Sequence, residues 1–244
     1  MKFLKKVAIA FAAILLCTSC KFLPDLAENP WQTIPVATQS NLLDIAFTED
    51  AAHGWIVGSS ATLLETTDAG ETWETKSLAL DTDQKARFTS ISFRDSEGWI
   101  AGEPGILLHS TDAGESWNRI VLSNKLPGEP FVITALDSNS AEMMTDVGAI
   151  YQTQDGGQSW KAMVEEAVGV VRNVARSEDG RYITVSAKGN FYSTWAPGDR
   201  AWTPRNRYSS KKLENMGFGE EGRLWMLDRG GELRYTVVDA EEGW

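Results

Sequence analysis

Three nearly identical octets contain the aspartates that first suggest chemistry. They span residues 66–73, 110–117 and 153–160, and each follows the Asp-box pattern [S/T]-x-D-x-G-x-x-W. An aspartate can act as a general acid or base in catalysis. Because the same residue types recur in all three octets, we expect them to serve the repeat and not a single catalytic centre.

The chemistry expected of each octet is that of a tight turn. Its aspartate can accept hydrogen bonds from backbone N–H groups two or three residues on, and its glycine permits the positive φ that the turn requires. The tryptophan then begins the next strand and covers the hairpin with its ring, which buries on the order of 200 Å². The residues assigned to these structural roles are Asp68, Gly70, Trp73, Asp112, Gly114, Trp117, Asp155, Gly157 and Trp160.

Other catalytic and metal-binding patterns do not emerge from the sequence. His53 and His109 fall in different repeat units with no evident ligand set, so we interpret both as strand or loop residues. A glycosidase of the sialidase type would need an Arg-Ile-Pro motif, and the nearest run is Asn118-Arg119-Ile120-Val121. Nucleophile elbows, zinc-protease motifs and phosphate-binding loops are also missing from the sequence. We therefore expect no metal, no cofactor and no catalytic activity.

Tryptophan spacing indicates how the chain is organised. The recurring residues are Trp31, Trp73, Trp117, Trp160, Trp202 and Trp244, at intervals of 42, 44, 43, 42 and 42. Within one unit, short strand-like segments run from Phe88 to Phe93, Gly98 to Gly102 and Ile106 to Thr111, ahead of the Asp-box. A fourth strand after the box completes a propeller blade. The sequence predicts an all-β protein, a β-propeller of four-stranded antiparallel blades with about five blades in residues 31–244.

The last two units depart from the Asp-box pattern while keeping the period. Residues 194–202 and 237–244 retain the tryptophan but lose most of the turn residues. Five units could close a small ring, with the segment at Trp31 adding a strand to the last blade. A truncated member of a larger ring is favoured, because a repeat boundary at the chain end leaves an unpaired edge that stable proteins avoid.

The N-terminal segment has the features of an export signal. Lys2, Lys5 and Lys6 precede an apolar run from Val7 to Leu16 that is too short to span a bilayer stably. Cys20 follows Ser19 and resembles the lipidated cysteine of a bacterial lipobox, although Cys17 stands where leucine is usual. We expect a signal peptide over residues 1–19, lipidation at Cys20 and a tether over residues 20–30. Simple signal-peptidase cleavage and an uncleaved anchor are the alternatives.

Charge is unevenly distributed along the chain. Without the three signal lysines, 20 basic and 34 acidic residues remain, a formal net charge of −14 that argues against a nucleic-acid partner. Residues 172–212 nevertheless contain nine basic and three acidic side chains. Connections between blades emerge on one face, so several of these cations could form a partner-binding patch. The candidates are Arg172, Arg176, Lys188, Arg200, Arg205, Arg207, Lys211 and Lys212. A solvated loop with scattered salt bridges is the alternative.

Two further segments connect these features to a known family. The run Gly189-N-F-Y-S-T-W-A-P-Gly198 and the later run Asn206-R-Y-S-S-K-K-L-E-N-M-G-Phe218 are more specific than the Asp-boxes. With them, the chain resembles the photosystem II stability/assembly factors of cyanobacteria and chloroplasts. The resemblance implies a seven-bladed, non-enzymatic, lipid-anchored propeller on the lumenal side of the thylakoid membrane, functioning as a monomer. It also implies that an arginine-rich surface near Arg172, Arg205 and Arg207 binds the newly made reaction-centre core subunit and early assembly complexes.

Two other functions remain open on the residues alone. A carbohydrate- or polymer-binding propeller of the cell envelope would use the same scaffold without catalysis. A sialidase-like glycosidase would require clustered arginines and a Tyr/Glu pair around the central channel, which the sequence does not indicate.

Overall fold

The computed structural model describes residues 31–78, 86–205, 211–220 and 223–236. The chain divides into one unit from Met1 to Pro35 and a second from Val36 to Trp244, and all of the sheets lie in the second. The described ranges contain nineteen β-strands and no α-helix. Within these ranges no helix is long and apolar enough to cross a membrane.

The strands form five sheets that follow one another along the chain. Blade one consists of β1 (Leu42–Phe47), β2 (Gly54–Gly58), β3 (Leu63–Thr66) and β4 (Glu74–Lys76). Blade two consists of β5 (Arg87–Arg94), β6 (Glu97–Glu103), β7 (Ile106–Ser110) and β8 (Asn118–Arg119). Blade three consists of β9 (Pro130–Asp137), β10 (Ser140–Thr145), β11 (Ile150–Thr153) and β12 (Lys161–Ala162). Blade four consists of β13 (Val171–Arg176), β14 (Tyr182–Ser186), β15 (Tyr192–Trp195) and β16 (Thr203–Arg205). Blade five consists of β17 (Leu213–Phe218), β18 (Leu224–Asp228) and β19 (Leu233–Tyr235).

Each sheet is an antiparallel meander in which consecutive strands are neighbours. Four sheets have four strands, and the fifth has three among the described residues. This arrangement confirms the predicted all-β propeller of about five blades, and the first three strands of the second blade agree with the predicted segments to within one residue. Trp244 lies outside the described residues, and Trp31 lies in the first unit, outside the sheets.

Neighbouring blades are joined along their first strands by a repeated hydrogen bond. Each first strand has a register shift near its start, and a polar side chain often follows it. Asp44 accepts a hydrogen bond from the Ile91 N–H of the next blade at 2.9 Å, and Asn173 accepts the equivalent bond from Met216 at 2.9 Å. A side chain that accepts a backbone hydrogen bond from the first strand of the following blade fixes how the two blades align.

Apolar layers fill the spaces between consecutive blades. The layer between blades one and two includes Trp55, Val57, Phe88 and Ile100, and three similar layers follow along the chain. Second strands such as β6 are buried along nearly their whole length, because they contact a blade on each face: Ile100 packs toward blade one, and Trp99 and Ala101 pack toward blade three. This double burial explains their continuous apolar sequence, which differs from the alternation of the first strands.

Candidate functional site

The Asp-boxes form closed hydrogen-bonded turns at one end of the strands. Asp112 accepts hydrogen bonds from the Ser110 hydroxyl at 2.7 Å and from the Ser116 N–H at 2.9 Å. The Ser110 hydroxyl in turn accepts the Gly114 N–H at 2.9 Å. The aspartate thus accepts a hydrogen bond from the backbone N–H four residues on. The N–H groups nearer to it, those of Asp112 and Gly114, donate instead to the hydroxyl at the first position of the box. The first and third boxes have the same geometry, at Asp68 and Asp155.

This geometry makes the box aspartates poor candidates for acid–base chemistry. Hydrogen bonds from the Thr72 hydroxyl and N–H, and from the Thr66 hydroxyl, lower the pKa of Asp68 to about 2. The pKa of Asp155 is lowered by the equivalent bonds from Ser159 and Thr153. A carboxylate held as an anion by its own turn is a weak base near neutral pH. The described turns therefore support a structural role for these residues.

The box glycines and tryptophans connect each turn to its surroundings. Gly70, Gly114 and Gly157 have φ values of +89°, +96° and +84°. The ring of Trp117 lies edge-on to Phe93 of its own blade at 5.9 Å and to Trp55 of the preceding blade at 6.3 Å, measured between ring centroids. The box tryptophan therefore covers its hairpin and also packs against the blade before it.

Both histidines contact buried glutamates, and the prediction that neither has a ligand set is wrong for His53, which lies near both Glu65 and Glu115. His53 Nε2 lies 2.8 Å from Glu65 Oε1, and His109 pairs with Glu97 while stacking on Trp99 at a centroid distance of 3.9 Å. Each pair is separated by twelve residues in the sequence and meets across one hairpin. The register of β2 with β3, and of β6 with β7, brings the partners together.

Arg176 lies in the interface between blades three and four and not on an exposed surface. Its Nε donates to Glu142 Oε2 at 2.8 Å, and the Tyr182 hydroxyl donates to the same oxygen at 3.0 Å. The side chains of Arg176 and Glu142 are 17% and 8% exposed. Burial, together with Glu142, raises the pKa of Tyr182, so its hydroxyl remains a donor. The assignment of Arg176 to a partner-binding patch is therefore corrected, because Arg176 forms an ion pair with the buried Glu142.

Strand direction divides the blades into two ends. We call the end with the Asp-box turns the box end, and the end where one blade connects to the next the connection end. In blade four, Val171 pairs with Ser186 and Tyr192 with Arg205 at the connection end, whereas Tyr182 pairs with Arg176 and Trp195 at the box end.

The predicted cations are distributed over both ends. Those at the connection end are Arg172, Lys188, Arg205, Lys211 and Lys212. Those at the box end are Arg176 and Arg200, and Arg200 is an exposed residue that pairs with Glu165. Arg207 and the lipidation candidate Cys20 lie outside the described residues. The structure thus brings five of the eight to one end of the blades.

The connection end contains an ion-pair group that joins blades four and five. Arg172 Nε and Nη2 donate to the Ala187 carbonyl at 3.1 and 2.9 Å, and Nη1 donates to Glu214 at 2.6 Å. The other Glu214 oxygen accepts from Arg229 Nε at 2.7 Å. Hydrogen bonds from Arg229 and the charge of Arg172 lower the pKa of Glu214.

Arg229 and Glu214 were not among the predicted site residues. Arg229 occupies in blade five the turn position that Ala187 occupies in blade four, immediately after the second strand. Because the equivalent residue is not a cation and Arg229 lies beyond residues 172–212, neither the repeat nor the charge density of that stretch could identify it.

The remaining cations at this end differ in how they are engaged. Arg205 Nε donates to the Thr194 hydroxyl at 3.3 Å, and Lys211 pairs with Glu232. The side chains of Lys188 and Lys212 are exposed and have neither an ion pair nor a hydrogen bond within the described part of the chain. The connection end therefore presents two arginines, Arg172 and Arg229, that are both held by Glu214. It also presents Lys188 and Lys212, whose charges are available to a partner.

Comparison with known proteins identifies relatives over nearly the whole chain. A family model described as "Photosynthesis system II assembly factor YCF48" matches residues 23–244. Photosystem II assembly lipoprotein Ycf48 of Picosynechococcus sp. is 57% identical over 247 residues, covering 100% of this chain and 72% of that protein.

Two solved structures are similar in both fold and sequence. A structure of YCF48 bound to D1 peptide has a TM-score of 0.83 and 53% identity, covering 85% of this chain and 68% of that one. YCF48 from Cyanidioschyzon merolae has a TM-score of 0.83 and 40% identity, covering 86% of this chain and 71% of that one.

These matches confirm the family resemblance recognised in the sequence. They include every described blade, and their identities are far above the level at which only a fold is shared. Assembly of photosystem II is a non-enzymatic role, which agrees with the expectation that this chain is not a glycosidase. The chain belongs to the Ycf48 family of photosystem II assembly factors.

Proposed function

We propose that this chain assists photosystem II assembly by binding a segment of the newly made D1 reaction-centre subunit through its connection end. The observation that carries the proposal is the relative solved with a D1 peptide, which shares 53% of its sequence and has a TM-score of 0.83. The proposed location is the lumenal side of the thylakoid membrane. Lipidated Cys20 would hold the propeller near that membrane, and the protein would act as a monomer.

The charges at the connection end suit a peptide with carboxylate and carbonyl groups. Of the five N–H groups of a guanidinium, Arg172 uses three on Ala187 and Glu214, which leaves two donors in a fixed orientation. Planar guanidinium groups bind carboxylates and peptide carbonyls in two-point contacts. Lys188 and Lys212 add exposed charge beside them. On an acidic protein, these cations would orient a partner more than they would raise its affinity.

A binding experiment with charge reversal tests the assignment to one end. The variant Arg205→Glu/Lys212→Glu changes two connection-end cations, and Arg200→Glu changes a cation of the box end that is 84% exposed. We expect the double variant to bind a synthetic D1 segment about tenfold or more weakly, a loss of roughly 1.4 kcal/mol or more. Arg200→Glu should bind it as the unmodified chain does.

The control also separates a specific site from general electrostatics. Arg200→Glu changes the net charge by half as much as the double variant, so if it lost about half as much binding free energy or more, attraction by net charge would explain the result and the connection-end site would be wrong. Binding unchanged in the double variant would remove these cations from the interface. A fluorescence-anisotropy titration at two salt concentrations provides the measurement, since exposed charges lose most of their effect at high salt.

A further inference from the structure

Three potential metal ligands meet between blades one and two at the box end. His53 immediately precedes β2, Glu65 lies on β3, and Glu115 belongs to the second Asp-box. One ligand atom from each lies within 4.8 Å of the others. The Trp55 indole donates to the Ala113 carbonyl of the same box at 3.0 Å, which holds the second box against blade one.

The centre of this group already attracts a cation. The side chains of His53 and Glu65 are 15% and 9% exposed, and Lys76 Nζ lies 2.5 Å from Glu65 Oε2. The two oxygens of the Glu65 carboxylate thus contact the His53 imidazole and the Lys76 ammonium group. A largely buried carboxylate with a cation beside it marks a position where positive charge is favourable.

We propose that His53, Glu65 and Glu115 form a binding site for one divalent transition-metal ion of the zinc type. Imidazole nitrogen with carboxylate oxygen suits Zn²⁺, whereas Mg²⁺ and Ca²⁺ prefer oxygen ligands alone. Two ligands about 2.1 Å from one ion lie at most about 4.2 Å apart, so the ligands must close in slightly. Glu115 is exposed and can move, and Lys76, 41% exposed, can turn its ammonium group to solvent.

The next blade interface provides an internal comparison. Pairing of Trp55 with Glu65 and of Trp99 with His109 shows that Glu65 and His109 occupy equivalent positions. The glutamate and histidine have thus exchanged strands between the two interfaces. There the third Asp-box carries Gln158 at the position of Glu115, and Glu97 also accepts the Asn139 N–H at 3.0 Å. With one carboxylate fewer, the second interface should not bind the ion.

A bound ion would connect blade one to the Asp-box of blade two. It would replace the single charge of Lys76 with a doubly charged centre that contacts both blades. An ion that binds the folded chain and not the unfolded chain stabilises the folded state. The site therefore adds a metal-dependent contact between blades, where the sequence indicated no metal ligands.

Zinc titration of the full chain tests the site. The background carries Cys17→Ser and Cys20→Ser and no histidine tag, so that neither thiols nor a tag contribute. The informative variant is Glu115→Gln, which changes an exposed side chain and retains its backbone turn. Its matched control is Glu71→Gln, the same position in the first box and outside the three-residue group.

We expect one zinc ion to bind per chain and to raise the melting temperature. Glu115→Gln should bind at least about tenfold more weakly and lose the thermal shift, Glu71→Gln should bind normally, and Lys76→Gln should bind more tightly. Three results would each overturn the proposal: no zinc binding, equal binding by Glu115→Gln and its parent, or equal weakening by Glu71→Gln. Saturation by Mg²⁺ at the same concentration would also overturn it, because it would indicate a nonspecific acidic surface.

Discussion

Replacing Arg176 with Met should lower the free energy of unfolding by about 3 kcal/mol. The substitution leaves the Glu142 carboxylate, 8% exposed, with the Tyr182 hydroxyl as its main remaining partner, and breaking a buried pair from one side costs about 3 to 5 kcal/mol. We take the lower figure because Met retains much of the apolar volume of the arginine side chain.

The double variant Arg176→Met/Glu142→Gln separates loss of the pair from loss of packing. A neutral amide at position 142 can still accept the Tyr182 hydrogen bond and leaves no buried charge unpaired. The double variant should therefore be more stable than Arg176→Met alone by at least about 1 kcal/mol, a clear departure from additivity. Arg200→Met provides the exposed control and should change stability by less than about 0.5 kcal/mol.

Urea unfolding followed by tryptophan fluorescence measures these differences, and D1-segment binding by the folded variants provides a second measurement. Because Arg176 is buried in the interface between blades, we expect the Arg176→Met variant to bind the D1 segment normally at urea concentrations below its unfolding transition. Stability within about 0.5 kcal/mol of the parent would refute the assignment of Arg176 to the blade interface. Strictly additive effects of the two substitutions would refute the coupling with Glu142.

Two further predictions concern the turns and the close contacts between strands. Gly102→Ala should destabilise the chain by roughly 2 to 3 kcal/mol, because its Cβ would lie 2.3 Å from the Arg87 carbonyl oxygen. Gly219→Ala, whose nearest atom would be 3.6 Å away, is the control and should be near neutral in the same unfolding assay. Asp68 has a folded pKa of about 2, below its ordinary value of 3.8, so its contribution to stability is present above pH 4 and disappears as the pH falls toward 2. Asp68→Asn should therefore lose less stability over that pH interval than the parent does, and an equal acid-induced loss in both proteins would show that Asp68 does not contribute.

Local patterns were sufficient for most of the fold. The Asp-box turns and the short strands depend on residues within a few positions of one another, so the octet at Ser110 and the segment Gly98 to Gly102 could be assigned without knowledge of the blade packing. The family followed from segments long enough to be specific, such as the run beginning at Gly189.

The site could be predicted less completely, because strand register and contacts between blades determine it. Arg172 and Arg176 look equivalent in the sequence, yet they are about 13 Å apart along one strand, at opposite ends of the blade. Arg229 lay beyond the basic stretch but meets Arg172 through Glu214, and Glu115 reaches His53 from the following blade.

The turn chemistry and the family could be inferred from the sequence because they depend on residues close together in the chain, and the repeat could be inferred because its period is regular. Which charges are neutralised between blades, and which remain at the connection end, became known from the packing of the blades. A cation's availability depends on burial and on carboxylates that are distant in the sequence, as with Glu142 and Arg176, which are 34 residues apart.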